Sequence, residues 1–230
     1  MKQYFLGIEF GSTRIKAVLL DEKHAIVKSG DYTWKSSLEN GVWTYHMEDV
    51  QEGLRTAIRN LGKLPGKISA MGVSGMMHGY LAFDKDWNLL APFRTWQNTM
   101  TGEAADKLTE AFGFNIPQRW SAAHLYQAVL NGEPHVKNIA HVTTLAGYVH
   151  YLLTGENVLG VGEASGMFPI DSETLTYDAA MLDKFDALMA KYGFDWNIRA
   201  VLPEVRTAGQ SAGLLTPSGS ECLGGLLPAG

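Results

Sequence analysis

The chain has 230 residues, 46% of them apolar and 19% charged, with a net charge of −5. That length suits one large domain or two small ones and lets folding bury roughly 70% of the unfolded chain's surface, with no need of covalent staples. The acidic balance, with Lys and Arg scattered singly, argues against a general nucleic-acid surface. The single Cys222 excludes an intramolecular disulfide or a Cys-rich metal site. The apolar N-terminal stretch is interrupted at Glu9, too short for a secretory leader, and no run approaches the ~18 apolar residues of a membrane span. A soluble, cytoplasmic protein is expected.

Residues 4–10 are β-favouring and end at Gly11-Ser12-Thr13, residues 15–20 form a second such run, and a third extends over 25–34. Tight polar turns between them predict an antiparallel meander. Residues 47–61 switch to helical spacing, with Val50, Leu54, Ala57, Ile58 and Leu61 on one face and Asp49 in the first turn, where a helix N-terminus favours an acid. After a breaker-rich loop at 62–67, a buried strand is predicted over 68–73 and another over 80–83, with Ser74-Gly75-Met76-Met77-His78-Gly79 between them. The strands near residues 4, 15, 25, 68 and 80 are expected to form one mixed sheet flanked by helices, an α/β domain. Helices are predicted over 102–112, 122–130, 144–153 and 179–192. Residues 209–230 read as a turn, a short strand and a connector, and the apolar ending at Gly230 reads as a truncation inside a longer protein.

Four segments could carry chemistry. In Gly7-Ile8-Glu9-Phe10-Gly11-Ser12-Thr13-Arg14-Ile15-Lys16, a strand delivers an acid to a Gly-Ser-Thr turn. Such a turn can cradle an anion with its N–H groups and hydroxyls, with Lys16 or Arg14 adding charge and the carboxylate holding a metal; an ordinary glycine hairpin is the alternative. His78, beside two flexible thioethers and between Gly75 and Gly79, suits a binding residue on a loop tip, or else caps a turn while Met76 and Met77 fill core space. Trp96-Gln97-Asn98 combines a ring with two amides, a combination suited to sugars, or is a buried Trp followed by a helix cap. Gly162-Glu163-Ala164-Ser165-Gly166-Met167-Phe168 reads alone as a loop plus strand. No HExxH, GxSxG or Walker-type sequence occurs, and His24, His46, His124, His135, His141 and His150 show no ligand spacing.

In this order and at these separations, the four segments resemble the FGGY family of carbohydrate kinases, and within it most nearly the xylulokinases. The resemblance covers essentially the whole chain, residues 1–230, as that family's N-terminal, sugar-binding domain. It implies an actin-like (ribonuclease H-like) ATPase fold whose mixed sheet starts with antiparallel β-β-β. It implies ATP and Mg²⁺ as cofactors, with Gly11, Ser12, Thr13 and Lys16 facing the phosphates. Glu9 stands near the metal in place of the family's Asp. Met77, His78, Trp96, Gln97 and Asn98 are implied to bind the sugar, a ketose or related polyol, with Asn98 where the family has an acid. The catalytic Asp base is implied to lie beyond Gly230, so this stretch alone is expected to be inactive. The expected partners are a small sugar and the C-terminal nucleotide-binding domain of the same protein, with a homodimer also allowed, and no nucleic acid or membrane. A sugar-sensing protein that has lost catalysis is the alternative, given Glu9 and Asn98.

Overall fold

The computed structural model describes residues 2–230. The chain opens with β1 (Gln3–Phe10), β2 (Arg14–Leu20) and β3 (Ile26–Thr33), followed by a hairpin of β4 (Ser37–Glu39) and β5 (Val42–Thr44). Helix α1 (Met47–Asn60) leads to β6 (Lys67–Gly75) and β7 (Leu81–Phe83). Then come α2 (Gly102–Phe112), α3 (Ser121–Leu130), β8 (His141–Thr143), α4 (Leu145–Thr154), β9 (Val158–Gly160) and α5 (Val161–Ala164). The last elements are β10 (Ile170–Asp171), β11 (Thr176–Tyr177), α6 (Ala179–Met189), α7 (Ile198–Val201), β12 (Glu204–Arg206) and α8 (Pro217–Cys222).

The main sheet has four strands in the order β3-β2-β1-β6, antiparallel across β3-β2-β1 and parallel between β1 and β6. Alternation along β1 buries Tyr4, Leu6, Ile8 and Phe10 on one face. Val50, Leu54, Ala57 and Ile58 of α1 pack with that face, and so do Leu145, Val149 and Leu153 of α4. The opposite register leaves Gly7 and Glu9 exposed. The period of 2 in the strand and of about 3.6 in the helix thus meet in one core. A second core, built from α2, α3, α6 and α7, packs around Phe168 and Phe185.

Four expectations change. The strand at 80–83 does not join the main sheet: β7 pairs with β8 instead. The backbone turns sharply just before it, where φ is 72° at His78 and 94° at Gly79, so the chain leaves the sheet plane and Tyr80 pairs with Arg94. The β4–β5 hairpin was not foreseen, although Asn40-Gly41, with φ of 49° and 80°, is a strong two-residue turn signal. The expected short strand within 209–230 is replaced by α8, started by Thr216, whose hydroxyl accepts from the Gly219 N–H, with Pro217 in the first turn. Residues 162–168 are α5 and a turn rather than a loop running into a strand.

Candidate functional site: a cleft at the end of the sheet

The β1–β2 turn is fixed from below. Trp34 donates its indole N–H to the Gly11 carbonyl (2.7 Å), the Tyr45 hydroxyl donates to the Ser12 carbonyl (2.7 Å), and the Trp34 N–H donates to the Thr13 carbonyl (3.2 Å). The Trp34 and Tyr45 rings, 4.3 Å apart, brace one another over Phe10. In a trans peptide the C=O and the following N–H point in opposite directions. Holding the Gly11 and Ser12 carbonyls inward therefore turns the Ser12 and Thr13 N–H groups outward, which is the arrangement an anion requires. Glu9 and Lys16 face each other across the β1–β2 ladder and form a half-exposed ion pair at 3.3 Å.

The β6 strand ends beside this turn, and Met76 donates its N–H to the Phe10 carbonyl (2.8 Å). His78 follows in a left-handed conformation that few non-glycine residues adopt. The position is held from several sides. Gly79 donates its N–H to the Arg119 carbonyl (3.1 Å), and Ser121 donates its hydroxyl to the Gly79 carbonyl (2.6 Å). The His78 Nδ1 lies 3.1 Å from the Gly166 carbonyl. A carbonyl only accepts, so Nδ1 carries the proton and, in the neutral ring, Nε2 is left as an acceptor. Burial pushes the His78 pKa below the ordinary histidine value; the Gly166 carbonyl opposes this, and the positive charge of Arg119 adds to it. His78 is thus a neutral hydroxyl acceptor at neutral pH.

Behind His78, Tyr80 is buried against an unusual polar group. Its hydroxyl shares a 2.9 Å hydrogen bond with His135 Nε2, Arg94 lies over its ring, and Arg94 is ion-paired with Glu133. His124 also stacks on Tyr80, and neither of its nitrogens finds a partner among the described residues.

Glu9, Gly11, Ser12, Met77, His78 and Trp96 line one cleft of about 520 Å³, together with Gly75, Met76 and Arg119. That volume lies within the range of small-molecule sites, ~300–1,000 Å³. Trp96 is 44% exposed, not the buried Trp of the alternative expectation. Thr13 and Lys16 stand on the same hairpin outside the lining. Gln97 and Asn98 do not line the cleft either. Asn98 is buried behind Trp96: its Oδ1 accepts from the Trp43 N–H (2.8 Å), and its Nδ2 donates to the Trp43 and Thr95 carbonyls (2.8 and 3.0 Å). It fastens the Trp96 loop to the β4–β5 hairpin, so the structure corrects the expectation that its amide faces the sugar. Arg119 was missed; its loop, between two helices, carries no motif. A larger cleft, about 880 Å³, runs along the outer edge of β6 and is lined mainly by aliphatic side chains and backbone. Its His150 is already bonded to the Ala212 carbonyl.

Among the described residues no group of three or more His, Cys, Asp or Glu is placed to hold a metal. Glu9 is the only carboxylate lining the smaller cleft. This fits a cation held mainly by phosphate oxygens and water, not a protein-built metal site.

A mixed sheet with one buried face thus carries, at the ends of β1 and β6, a turn with outward N–H groups beside a cleft lined by Trp96 and His78. The sequence profile of the FGGY family of carbohydrate kinases, N-terminal domain, matches residues 4–228. The chain belongs to that family. A glycerol kinase from Thermococcus gammatolerans is 25% identical over 99% of this chain and 47% of its own length. The crystal structure of a xylulose kinase from Rhodospirillum rubrum superposes with a TM-score of 0.82 at 21% identity, covering 99% of this chain and 48% of that one. A Plasmodium falciparum glycerol kinase with ADP gives 0.79 at 18% identity, covering 98% and 47%. The fold is therefore that of actin-like ATPases, and the chain spans about half the length of the relatives it matches. No helix among the described residues is long and apolar enough to cross a membrane.

Proposed function

We propose that this chain is the sugar-binding domain of an ATP-dependent carbohydrate kinase that phosphorylates a ketose or related polyol. The observation that carries this reading is the convergence, in one cleft, of the Gly11-Ser12 turn with His78 and Trp96. Trp96 offers a face to the C–H surface of a sugar, and His78 Nε2 accepts from a hydroxyl. Met77 supplies an adaptable apolar wall. The outward Ser12 and Thr13 N–H groups and the Ser12 hydroxyl bind phosphate oxygens, with Lys16 adding charge from the same hairpin. Glu9 would hold Mg²⁺, which when bound would neutralise charge on the phosphates.

The kinship with glycerol kinases and xylulose kinases supports a small polyhydroxy acceptor. The structure of a relative with ADP supports an adenine nucleotide. The proton acceptor for the attacking hydroxyl is assigned to the half of the relatives that this chain does not span; the family's N-terminal domain profile covers residues 4–228. Closure of a second domain over the cleft would exclude water and complete the site.

The test combines two assays on the 230-residue chain. Titration with ketoses and polyols should show millimolar binding of at least one, lost on His78→Ala and on Trp96→Ala. A coupled ADP-release assay should show no sugar-dependent turnover. Binding unaffected by either substitution, or turnover by the chain alone, would refute the assignment of roles.

A further inference from the structure

His78 and Trp96 come from different segments of the chain, and a single β-bridge brings those segments together at the cleft. Tyr80 and Arg94 exchange both backbone bonds, at 2.8 Å and 3.1 Å. The pairing is antiparallel, so His78, two residues before Tyr80, and Trp96, two residues after Arg94, emerge at the same end of the bridge. Side chains alternate with a period of two, so a slip of one residue would turn Trp96 away and bring Thr95 or Gln97 to its place. One bridge is a weak hold on a register. Asn98 fastens the same loop to β5, not to the turn that carries His78.

The Arg94 side chain closes on the very residue that its backbone pairs. Its guanidinium lies 5.3 Å from the centre of the Tyr80 ring and is ion-paired with Glu133. The Tyr80 hydroxyl is 2.9 Å from His135 Nε2, and His135 Nδ1 is 3.6 Å from Glu133. Arg94, Glu133, His135 and Tyr80 thus form a closed ring of polar contacts, with Tyr80 and Arg94 buried. Glu133 and His135 flank Pro134 in the turn after α3, whose Val136 belongs to the second core. An Arg–Glu pair is a costly thing to bury, because apolar side chains of similar volume stabilise a core as well or better; what the pair supplies is one permitted geometry. None of the four residues lines the cleft.

We infer that Arg94 is a positioning residue for the sugar site: through Glu133 and the Tyr80 ring it pins the register that sets Trp96 and His78 in one cleft, without touching the ligand. The inference rests on the sugar-binding reading above. It separates two quantities that a purely structural residue would move together, the stability of the fold and the affinity of the cleft.

The test compares Arg94→Met, Arg94→Lys and the double variant Arg94→Met with Glu133→Leu in the 230-residue chain. Each is melted, titrated calorimetrically with xylulose and with glycerol, and followed by its indole NMR signals. Arg94→Met leaves Glu133 without its partner and should melt earlier. The double variant removes both charges and should melt at or above the temperature of the unmodified chain, yet bind the ligand about tenfold or more weakly. In it the Trp96 indole signal should broaden or split, while that of Trp34, bonded to the Gly11 carbonyl, stays in place. Arg94→Lys keeps the charge without the planar fork over Tyr80 and should retain only part of the affinity. A double variant that binds as tightly as the unmodified chain, with the Trp96 signal unmoved, shows that the pair serves stability alone and overturns the inference. A double variant that does not fold overturns it too, because the pair then holds the fold and not the register. If the unmodified chain binds neither ligand, the sugar-binding reading falls, and the Trp96 signal of the double variant still decides whether Arg94 pins the register.

Discussion

Gly166→Ala tests whether His78 is held by the segment that follows α5. A Cβ on Gly166 would lie 2.6 Å from His78 Nδ1, 2.9 Å from its Cε1 and 2.9 Å from Met77 Cε. These separations are well inside van der Waals contact, so the imidazole must retreat by about 1 Å to recover ~3.5 Å. A 3.1 Å hydrogen bond cannot survive that retreat, and Nδ1 loses the Gly166 carbonyl. The lost bond should cost about 0.5–1.5 kcal/mol of stability. A second loss falls on the ligand, because the Nε2 acceptor turns away and its tautomer is no longer fixed; sugar affinity should drop about 3–10-fold. Gly162→Ala is the matched control: it lies four residues earlier, in α5, has an ordinary φ, and its Cβ would meet nothing within 4 Å. The control should be neutral or slightly stabilising. Urea denaturation and ketose titration of both variants give the comparison. If Gly166→Ala melts and binds like Gly162→Ala, His78 is not positioned by Gly166.

Three further outcomes follow from the same geometry. Asn98→Asp should destabilise by about 1–3 kcal/mol in urea denaturation and should not improve sugar binding, because it sets a carboxylate oxygen against the Trp43 and Thr95 carbonyls that the amide now serves. Tyr45→Phe removes the donor to the Ser12 carbonyl; a loss of about 1 kcal/mol and weaker ADP binding by titration are expected, since the Thr13 N–H is no longer held outward. His124, fully buried without partners, has its pKa pushed down to about 3 by burial, with Arg94 adding to the effect. A depressed histidine pKa means the unfolded chain takes up the proton first, so its contribution to stability is complete above about pH 6.5 and is lost as pH falls from there toward 3. At pH 5 the loss from this group alone is about 2 kcal/mol, and His124→Leu should remove about one proton's worth of slope from stability plotted against pH.

Local pattern was enough to find most of the elements. The helix over 102–112 lies where it was expected, and the strands at 4–10 and 15–20 are β1 and β2 to within a residue. Their periodicities were uninterrupted and bounded by turn residues. The errors lie where long-range pairing decides. Nothing near Tyr80 reveals that β7 takes β8 as its neighbour, because the redirection depends on a positive φ at His78 that is imposed by Gly79, Arg119 and Gly166 together. The site divided in the same way. Glu9, Gly11, Ser12, Met77, His78 and Trp96 sit at the ends of β1 and β6 or on the loop beside them, so strand ends pointed to them. Asn98, though adjacent to Trp96, faces the opposite way into backbone partners from β5. Arg119 joins the cleft only through tertiary bonds to Gly79. Spacing along the chain carries no record of either.

The most direct test of the central claim, that sugar and phosphate meet in the cleft at the end of β1 and β6, is an amide and indole NMR titration of the 230-residue chain. A binding ketose or polyol should shift Met77, His78 and the Trp96 indole, and ADP with Mg²⁺ should shift Ser12 and Thr13. Neither ligand should shift residues away from the β1–β2 turn and the cleft. Shifts centred instead on Ser69, Ala70 and Met71 along the outer edge of β6, with Trp96 unmoved, would place the ligand in the larger cleft and contradict the account.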